Sequence, residues 1–314
     1  MEALAVDQAR GKLPRRGTYR SLIEFLTGPR AAPWIFISGA TILTLLFRLL
    51  PGIAGLALSF FRYNAVKAPQ FVGLHNYSRM LKDEFFTRGM AVTGYYVVGT
   101  VIPAIVLGYL LALILNQRWM PLKSFFRVIY FLPTVVSMAA VAVVWQFALN
   151  PSFGLVNACL KMLGLPTQYF LGDPKQALPS IMVIVTWKVV GYFMVIFLAG
   201  LQSIPTEFYE AARIDGAGRW GELRYITIPL SAPTILFATV IAIIGGWQVF
   251  DVVSVLTGGG PMNSTRVIVY HIWYSAFSNL ELGYASAMAL VVFLIIVIFT
   301  FLQFRLAGRR ASFI

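Results

Sequence analysis

The amino-acid sequence predicts an all-α membrane protein with six transmembrane helices. Of its 314 residues, 59% are hydrophobic and only 12% are charged, and the mean hydropathy is +0.77. Soluble domains carry about 25% charged residues, so this composition is typical of a membrane protein. The alternating ten-residue strands of an outer-membrane barrel do not occur, and helices are therefore the expected spanning elements.

Six apolar stretches reach the roughly 20 residues that a helix needs to cross the hydrocarbon core of a bilayer. They predict a transmembrane domain over 33–306, which follows an N-terminal tail, 1–32, with a possible interfacial helix and precedes a short tail, 307–314. The predicted spans are about 33–60, 90–115, 125–148, 178–201, 229–252 and 284–306.

The positive charges predict which side of the membrane each loop faces. One side holds both chain ends, the segment between spans two and three and the segment between spans four and five, and it carries 15 of the 25 Lys and Arg residues. The other side carries eight, of which five lie in 62–88. Because Lys and Arg are enriched in cytoplasmic segments, both termini and the loop 202–227 are predicted to be cytoplasmic.

Several classes of function find no support in the sequence. The net charge of +13 does not indicate a nucleic-acid partner, because the cations cluster beside the spans, where they orient a membrane protein. Cys159 is the only cysteine, and His75 and His271 lie in no metal-ligand pattern. There is no GxxxxGK[ST] phosphate loop, Ser/His/Asp triad or paired-carboxylate constellation. We therefore predict no catalytic residue, no metal site and no cofactor in this chain.

A polar, helix-forming stretch lies between spans four and five and reads EAARIDGAGRWGELRYITIPLSAP. Pro205-Thr206 can start a helix, and Gly216 is well placed to end it in a left-handed conformation. A second short helix, roughly 220–226, would lead to Pro229 at the start of span five. By composition alone, this stretch is either a docking element or an ordinary amphipathic connecting loop.

The same stretch resembles the EAA motif of binding-protein-dependent ABC import permeases, written EAA, three residues, G, nine residues and I-x-L-P. The matching residues are Glu210-Ala211-Ala212, Asp215-Gly216-Ala217 and Ile226-Thr227-Ile228-Pro229, with Ile228 in the leucine position. A second stretch, LTGGGPMNSTRVIVYHIWYSAFSNLELGYASAMA over 256–289, resembles the carbohydrate-uptake subfamily on its MalF-like side.

The resemblance implies a type I ABC importer permease in the bacterial cytoplasmic (inner) membrane that takes up a sugar or oligosaccharide. It implies a second homologous permease subunit, an extracytoplasmic solute-binding protein, and two ATPase subunits that bind ATP and Mg. Each ATPase subunit would move one EAA loop and so switch the pathway between its inward- and outward-facing states. By this resemblance the ATPase-docking residues are Glu210, Ala211, Ala212, Asp215 and Gly216.

The resemblance also implies a substrate pathway along spans four and five. An aromatic ring beside small and hydrogen-bonding residues suits a sugar, although helix packing alone would explain Tyr192 and Trp247. The pair Gly245-Gly246 is predicted to break the helix, which would either widen a cavity or allow a close helix crossing. The predicted pathway residues are Thr186, Lys188, Val189, Tyr192, Gly245, Gly246, Trp247 and Val249.

Two cations lie inside the predicted spans. Charges in a bilayer are costly and mark functional sites by default, so Lys188 and Arg48 are candidates. They favour an anionic substrate, such as a uronate oligosaccharide or a sugar or glycerol phosphate. A neutral sugar stays open, because neutral-sugar relatives carry a similar Trp-Lys pair, and Arg48 can instead meet a partner subunit or a lipid phosphate. The alternative class is a stand-alone secondary transporter or channel, which would be expected to show an internal repeat and intramembrane carboxylates.

Overall fold

The computed structural model describes residues 32–117 and 119–311, and the side chains of 33–117 and 119–305. The interfacial helix predicted for the N-terminal tail lies outside these residues. Throughout the described part the backbone is predominantly helical, and it divides into two compact units, whose described residues are 32–57 in the first and 58–117 and 119–311 in the second.

The described part of the first unit is one helical run. It consists of α1 (Ala32–Thr44), a π-helical turn (Leu45–Leu49) and the start of α2 (Leu50–Leu58). Pro51 has no backbone N–H to donate to the carbonyl of Phe47, which favours a wider turn just before it. In this turn Leu50 N–H donates to the carbonyl of Leu45, five residues earlier. Arg48 lies in this turn. The run Pro33–Leu58 has 26 residues and is long and apolar enough to cross a membrane.

The second unit begins with a short antiparallel hairpin and continues as helices. Its long helix α4 starts at Asp83, whose carboxylate accepts hydrogen bonds from the N–H groups of Phe85 (2.8 Å) and Phe86 (3.4 Å). The elements in order are β1 (Phe61–Arg62), β2 (Gln70–Phe71), α3 (His75–Met80), α4 (Glu84–Asn116), α5 (Lys123–Val135), α6 (Met138–Ala148), α7 (Leu155–Met162), a 3-10 turn (Phe170–Gly172), α8 (Ala177–Gln202), α9 (Thr206–Ile214), α10 (Arg219–Glu222), a π-helical turn (Leu223–Thr227), α11 (Ile228–Leu230), α12 (Ala232–Trp247), α13 (Asp251–Leu256), α14 (Ile268–Trp273), a π-helical turn (Tyr274–Ser278) and α15 (Leu282–Ala311).

The core of the second unit is built on the contact between α4 and α8, the most extensive between any two of its helices. Small residues let the two backbones approach closely, as is common between membrane helices. A Cβ atom on Gly108 of α4 would lie 2.9 Å from the Cβ atom of Phe193 on α8. Helix α5 packs against α8, α12 packs against both α4 and α8, and α15 packs against α12.

The stretch predicted as the third span, 125–148, is not one straight helix. It forms α5 and α6, which meet at an angle of 95°. Two local features produce the bend: Pro133 cannot donate a helical hydrogen bond, and the Ser137 hydroxyl accepts one from Ala140 N–H and so starts a new helix. The pair α5 and α6 is therefore either a broken span or a re-entrant segment.

The predicted break at Gly245-Gly246 is wrong. Helix α12 runs through both glycines to Trp247, and the chain leaves the helix at 248–250 before α13 begins. A Cβ atom on Gly246 would lie 3.1 Å from Val97 of α4, whereas none of the surrounding atoms lies within 4 Å of the Gly245 position. Gly246 thus permits a close helix crossing, which is one of the two alternatives that the sequence left open.

The described residues contain five or six candidate spans, depending on whether the bent pair counts as one. The five continuous runs are Pro33–Leu58, Glu84–Asn116, Ala177–Gln202, Ala232–Leu256 and Leu282–Arg305. Each overlaps a stretch that the sequence predicts as a span. The number of membrane crossings stays a prediction.

We expect Gly191→Ala to destabilise the protein. A Cβ atom there would collide with the carbonyl oxygen of Tyr130 on α5, and backbone atoms cannot move aside without shifting the helix. Such overpacking costs about 1–3 kcal/mol, which thermal unfolding of the full-length protein in detergent would register as a lower melting temperature. Gly94→Ala, on α4 with open space around it, is the control and should be neutral or slightly stabilising. Equal melting temperatures for Gly191→Ala and the wild type would contradict the prediction.

Candidate functional site

The loop between α8 and α12 begins with the helix α9, which ends in a hydrogen-bonded turn. Ala217 N–H donates to the carbonyl of Ala212 (2.8 Å) and Gly216 N–H donates to Arg213 (3.1 Å), which is the Schellman arrangement. Gly216 has φ +83°, so the predicted left-handed end of this helix is confirmed. A side chain would strain this position by roughly 1 kcal/mol or more.

The rest of the loop is tied back to α9. Arg213 Nε donates to Glu222 Oε1 of α10 at 2.7 Å. Tyr209 Oη lies 3.2 Å from Thr227 Oγ1, which in turn donates to the carbonyl of Glu222 (3.1 Å). The predicted second helix is present as α10 and its following π-helical turn. Both halves of the loop therefore form one connected unit, which we call the coupling loop (205–230).

The coupling loop presents both charged and large apolar side chains to its surroundings. Glu210, Ala211, Asp215 and Gly216 are exposed, and Ala212 is half-buried. Two apolar residues are unusually exposed, Ile214 at 86% and Trp220 at 73% of their surface. Ile214, the last residue of α9, is not among the docking residues that the sequence predicts.

The coupling loop and the first turn of α4 lie at opposite ends of the helical bundle. A groove of about 1070 Å³ is lined by residues of the loop, including Glu210 and Arg213, and by the last turn of α4 with Asn116. Helix α4 has 33 residues and is therefore about 50 Å long. Asp83, at its start, thus lies about 50 Å from the loop.

Lys188 of α8 reaches the point where α5 ends. Lys188 is 9% exposed. Its Nζ donates to the carbonyl oxygen of Thr134 at 3.3 Å, and Thr134 Oγ1 donates to the carbonyl of Lys188 at 3.0 Å. The Thr134 carbonyl has lost its helical partner because α5 stops at Val135. A cation at the carboxyl end of a helix is also favoured by the helix dipole. The amine of Lys188 is therefore engaged in holding the bend between α5 and α6.

The other predicted pathway residues on α8 differ in exposure. Thr186 is buried, Val189 is half-buried against the core, and Tyr192 is 37% exposed with its ring edge-on to Phe193. Of these, Tyr192 is the one with a large accessible surface. The indole of Trp187 is also partly exposed and meets Trp145 of α6 edge-on, with ring centroids 5.7 Å apart.

The predicted pathway residues on α12 contact other helices. Trp247 is 7% exposed and stacks on Phe299 of α15, with ring centroids 5.9 Å apart. Gly246 faces α4, Gly245 is exposed, and Val249 is half-buried. Within 32–117 and 119–311, no hydrogen bond or ring contact joins this group to the group on α8. The structure places Trp247 in helix packing, the alternative explanation for this residue.

A polar network that the sequence analysis missed joins the start of α4 to α14 and α15. Asp83 Oδ2 accepts a hydrogen bond from Tyr284 Oη (2.6 Å) and lies 3.3 Å from His271 Nε2. Arg266 continues the network to His271 Nδ1 (3.1 Å), and Arg79 forms two 2.9 Å hydrogen bonds with Glu281. These partners lie up to 202 residues apart in sequence, so local spacing carries no signal of the network.

Two groups in this network have shifted pKa values. Burial, followed by the charge of Arg266, lowers the pKa of His271. Burial alone would raise the pKa of Asp83, but hydrogen bonds from Tyr284, Phe85 N–H and His271 lower it on balance. Near neutral pH, His271 is thus held neutral and Asp83 charged, which fits a structural junction with a fixed proton arrangement.

Comparison with known proteins defines the class of this chain. Residues 85–312 match the family described as the binding-protein-dependent transport system inner membrane component. The lactose transport system permease protein LacF of Rhizobium radiobacter is 34% identical over 284 residues, which cover 88% of this chain and 94% of LacF. The sn-glycerol-3-phosphate transport system permease protein UgpA of Agrobacterium fabrum is 33% identical over 285 residues, covering 90% of this chain and 96% of UgpA.

A solved structure has the same fold. A bacterial ABC transporter involved in the import of the acidic polysaccharide alginate contains a chain that superposes with a TM-score of 0.78 at 25% identity. The superposition covers 93% of this protein and 98% of that chain. The type I ABC permease fold expected from the EAA resemblance is therefore confirmed at the level of the fold.

The chain belongs to the family of binding-protein-dependent transport system inner membrane components. It is a multi-pass permease subunit of an ABC importer in the inner membrane, and thus a transport component.

We expect Lys188→Met to lower both stability and uptake, because the Thr134 carbonyl would lose its donor inside the bilayer. Losing a hydrogen bond from a charged donor costs about 1–3 kcal/mol. Lys188→Arg keeps a charged donor and is the control, expected to retain most of both properties. The measurements are thermal unfolding of the purified transporter and uptake in vesicles. Wild-type stability with lost uptake in Lys188→Met would contradict the structural role and favour contact between this amine and substrate.

Proposed function

We propose that this permease imports a sugar or oligosaccharide that an extracytoplasmic solute-binding protein delivers. It works with a second homologous permease subunit and two ATPase subunits, which bind the ATP and Mg, while this chain holds no catalytic site, metal or cofactor of its own. The relatives named for lactose and for sn-glycerol-3-phosphate transport support a small saccharide-like cargo. A stand-alone secondary transporter or channel is disfavoured because this family depends on binding proteins.

The observation that carries this proposal is the construction of the coupling loop. A helix with an exposed Glu210 and exposed apolar residues, ended by a left-handed glycine and tied by an ion pair, is a rigid projection with an uncovered surface. We assign this surface to ATPase docking, with Glu210, Ala211, Ala212, Asp215 and Gly216 as its contact residues. Glu210 would accept charge-assisted hydrogen bonds in the cleft of the ATPase subunit.

The proposed topology has six spans, with both termini and the coupling loop in the cytoplasm. In this topology the bent pair α5 and α6 forms one broken span, so that the permease domain 33–306 crosses the membrane six times. Positive charge supports this orientation, since 15 of the 25 Lys and Arg residues lie on the proposed cytoplasmic side. The groove shared by the coupling loop and the end of α4 supports a common side for both.

The proposed pathway runs beside α8 and α12, in the complex with the second permease. Its residues are Thr186, Lys188, Val189, Tyr192, Gly245, Gly246, Trp247 and Val249. Tyr192 and the neighbouring Trp187 offer the accessible aromatic surface that a sugar ring requires. An anionic cargo is supported by the likeness to the alginate transporter and to UgpA, and a neutral cargo by the likeness to LacF. The Lys188 amine already has a carbonyl partner, so this residue by itself does not favour an anion.

Cysteine labelling tests the topology. A cysteine at Arg219, in the coupling loop, should react with a membrane-impermeant maleimide only in inside-out vesicles, and one at Lys175 only in right-side-out vesicles. Both positions are exposed. The native Cys159 is exposed as well, so the experiment needs a Cys159→Ser background, which is also the unlabelled control. The reverse labelling pattern would place the coupling loop outside and exclude ATPase docking.

Substitutions in the coupling loop test the docking role. Glu210→Lys should abolish the charge-assisted contact, and Gly216→Ala should distort the loop by about 1 kcal/mol of strain. In the reconstituted complex, stimulation of ATP hydrolysis by the loaded binding protein should fall several-fold in both variants, together with uptake. Membrane insertion should be unchanged, because neither residue lies in a span.

Gly218→Ala is the matched control for this experiment. Gly218 is also a glycine of the coupling loop, but its φ is −80° and none of the surrounding atoms lies within 4 Å of an added Cβ. This variant should keep wild-type stimulation. Undiminished stimulation and stoichiometric co-purification of the ATPase subunit in both Glu210→Lys and Gly216→Ala would remove the docking role.

A further inference from the structure

The distribution of cations over the proposed outer side is unusual. Outer segments of membrane proteins are normally poor in Lys and Arg, yet 62–88 carries five. The structure brings most of them to one place. Two adjoining cavities of about 620 and 750 Å³ share His75, Arg79 and Tyr284. Together they form what we call the basic groove, lined by the cations Arg62, Lys67, Arg79, Lys82 and Arg266.

The anionic residues of the basic groove are already committed. Glu281 is bound through both carboxylate oxygens to Arg79. Asp83 caps α4 and accepts the hydrogen bond from Tyr284. These two carboxylates therefore neutralise little of the charge of the remaining cations.

Three cations of the groove have no ion-pair partner among the described residues. They are Arg62, Lys67 and Lys82, and all three are exposed. Arg266, by contrast, lies over the rings of Phe85 and Tyr274, 4.9 and 4.7 Å from their centroids. The groove thus has a fixed inner wall and a row of accessible positive charges on β1, on the loop that follows it and at the end of α3.

The groove lies at the end of the protein opposite the coupling loop. It includes Asp83 at the start of α4, about 50 Å from the turn where α4 meets the coupling loop. All five of its cations belong to segments that precede or connect the candidate spans. If the coupling loop faces the ATPase subunits, the basic groove faces the compartment from which the binding protein arrives.

We propose that the basic groove is a docking surface for the solute-binding protein, which would present an acidic patch to Arg62, Lys67 and Lys82. This inference rests on the proposed function for its orientation. Exposed charges spread over three elements suit the flat, hydrated contact of a transient protein complex, in which charge mainly governs the association rate. Binding a single saccharide would instead need donors that converge and are withdrawn from water.

The test is a charge reversal in the complete reconstituted transporter. The double variant Arg62→Glu/Lys67→Glu and the single variant Lys82→Glu are assayed for ATPase stimulation by the purified binding protein encoded with this permease. We expect the half-saturating concentration to rise about tenfold or more at low salt in the double variant, with an unchanged maximal rate. The difference from wild type should shrink in 1 M NaCl, where the screening length is about 3 Å.

A control variant, a competition experiment and a change of lipid identify the source of any change in the half-saturating concentration. Lys161→Glu is the matched control, an exposed cation of the proposed outer side that does not line the groove, and it should behave as wild type. Poly-L-glutamate should compete with the binding protein on the wild type and compete less on the double variant. All measurements are repeated in vesicles of neutral phosphatidylcholine alone and with anionic phosphatidylglycerol added.

Several outcomes would overturn the docking surface. An unchanged half-saturating concentration in both charge-reversal variants would do so, and so would a reduced maximal rate with unchanged half-saturation. A defect that appears only when phosphatidylglycerol is present would assign the groove to lipid headgroups. By contrast, a wild-type complex that no binding protein stimulates would contradict the proposed function itself, so the two failures are distinguishable.

Discussion

A polar backbone group inside a bilayer finds no water and must therefore form its hydrogen bond within the protein. The end of α5, which lies in an apolar stretch of the chain, leaves such a group to be satisfied. The helix stops at Val135, which leaves the Thr134 carbonyl without its helical donor. Lys188 supplies the donor from α8, and the Gly191 backbone approaches α5 closely enough for it to reach. This contact ties the end of α5 to α8 beside the 95° bend between α5 and α6. Here a charged residue in a candidate span supplies the hydrogen-bond donor at the break between two helices.

The sequence predicted well what depends on local chemistry. Apolar length alone located the long helical runs to within a few residues at most ends, because the bilayer requires about 20 apolar residues of each. Turn chemistry located the end of α9, since only a residue free of Cβ strain adopts the left-handed conformation of Gly216 without cost. Local residues also predicted the two short helices of the coupling loop in their correct order. Each of these features is decided within a window of a few turns.

What the sequence did not predict depends on residues that are distant in the chain. The Thr134 carbonyl at the break in the third span takes its donor from Lys188, 54 residues away. Gly246, where a helix break was expected, lies within a helix and packs against Val97 of α4. Trp247 stacks on Phe299, and the network around Asp83 joins residues about 200 positions apart. No periodicity or spacing rule reports such pairs. They determine whether an aromatic or charged residue serves packing or remains accessible to a ligand.

The coupling loop has short connections to the helices on both sides. Two residues, 203 and 204, separate it from α8, and Ser231 alone separates α11 from α12. The ion pair between Arg213 and Glu222 joins α9 to α10 across the turn between them, and Tyr209 contacts Thr227 closer to the two ends of the loop. With these internal contacts and such short connections, the loop has few residues in which to bend. A force applied to it would therefore act on the ends of α8 and α12 together.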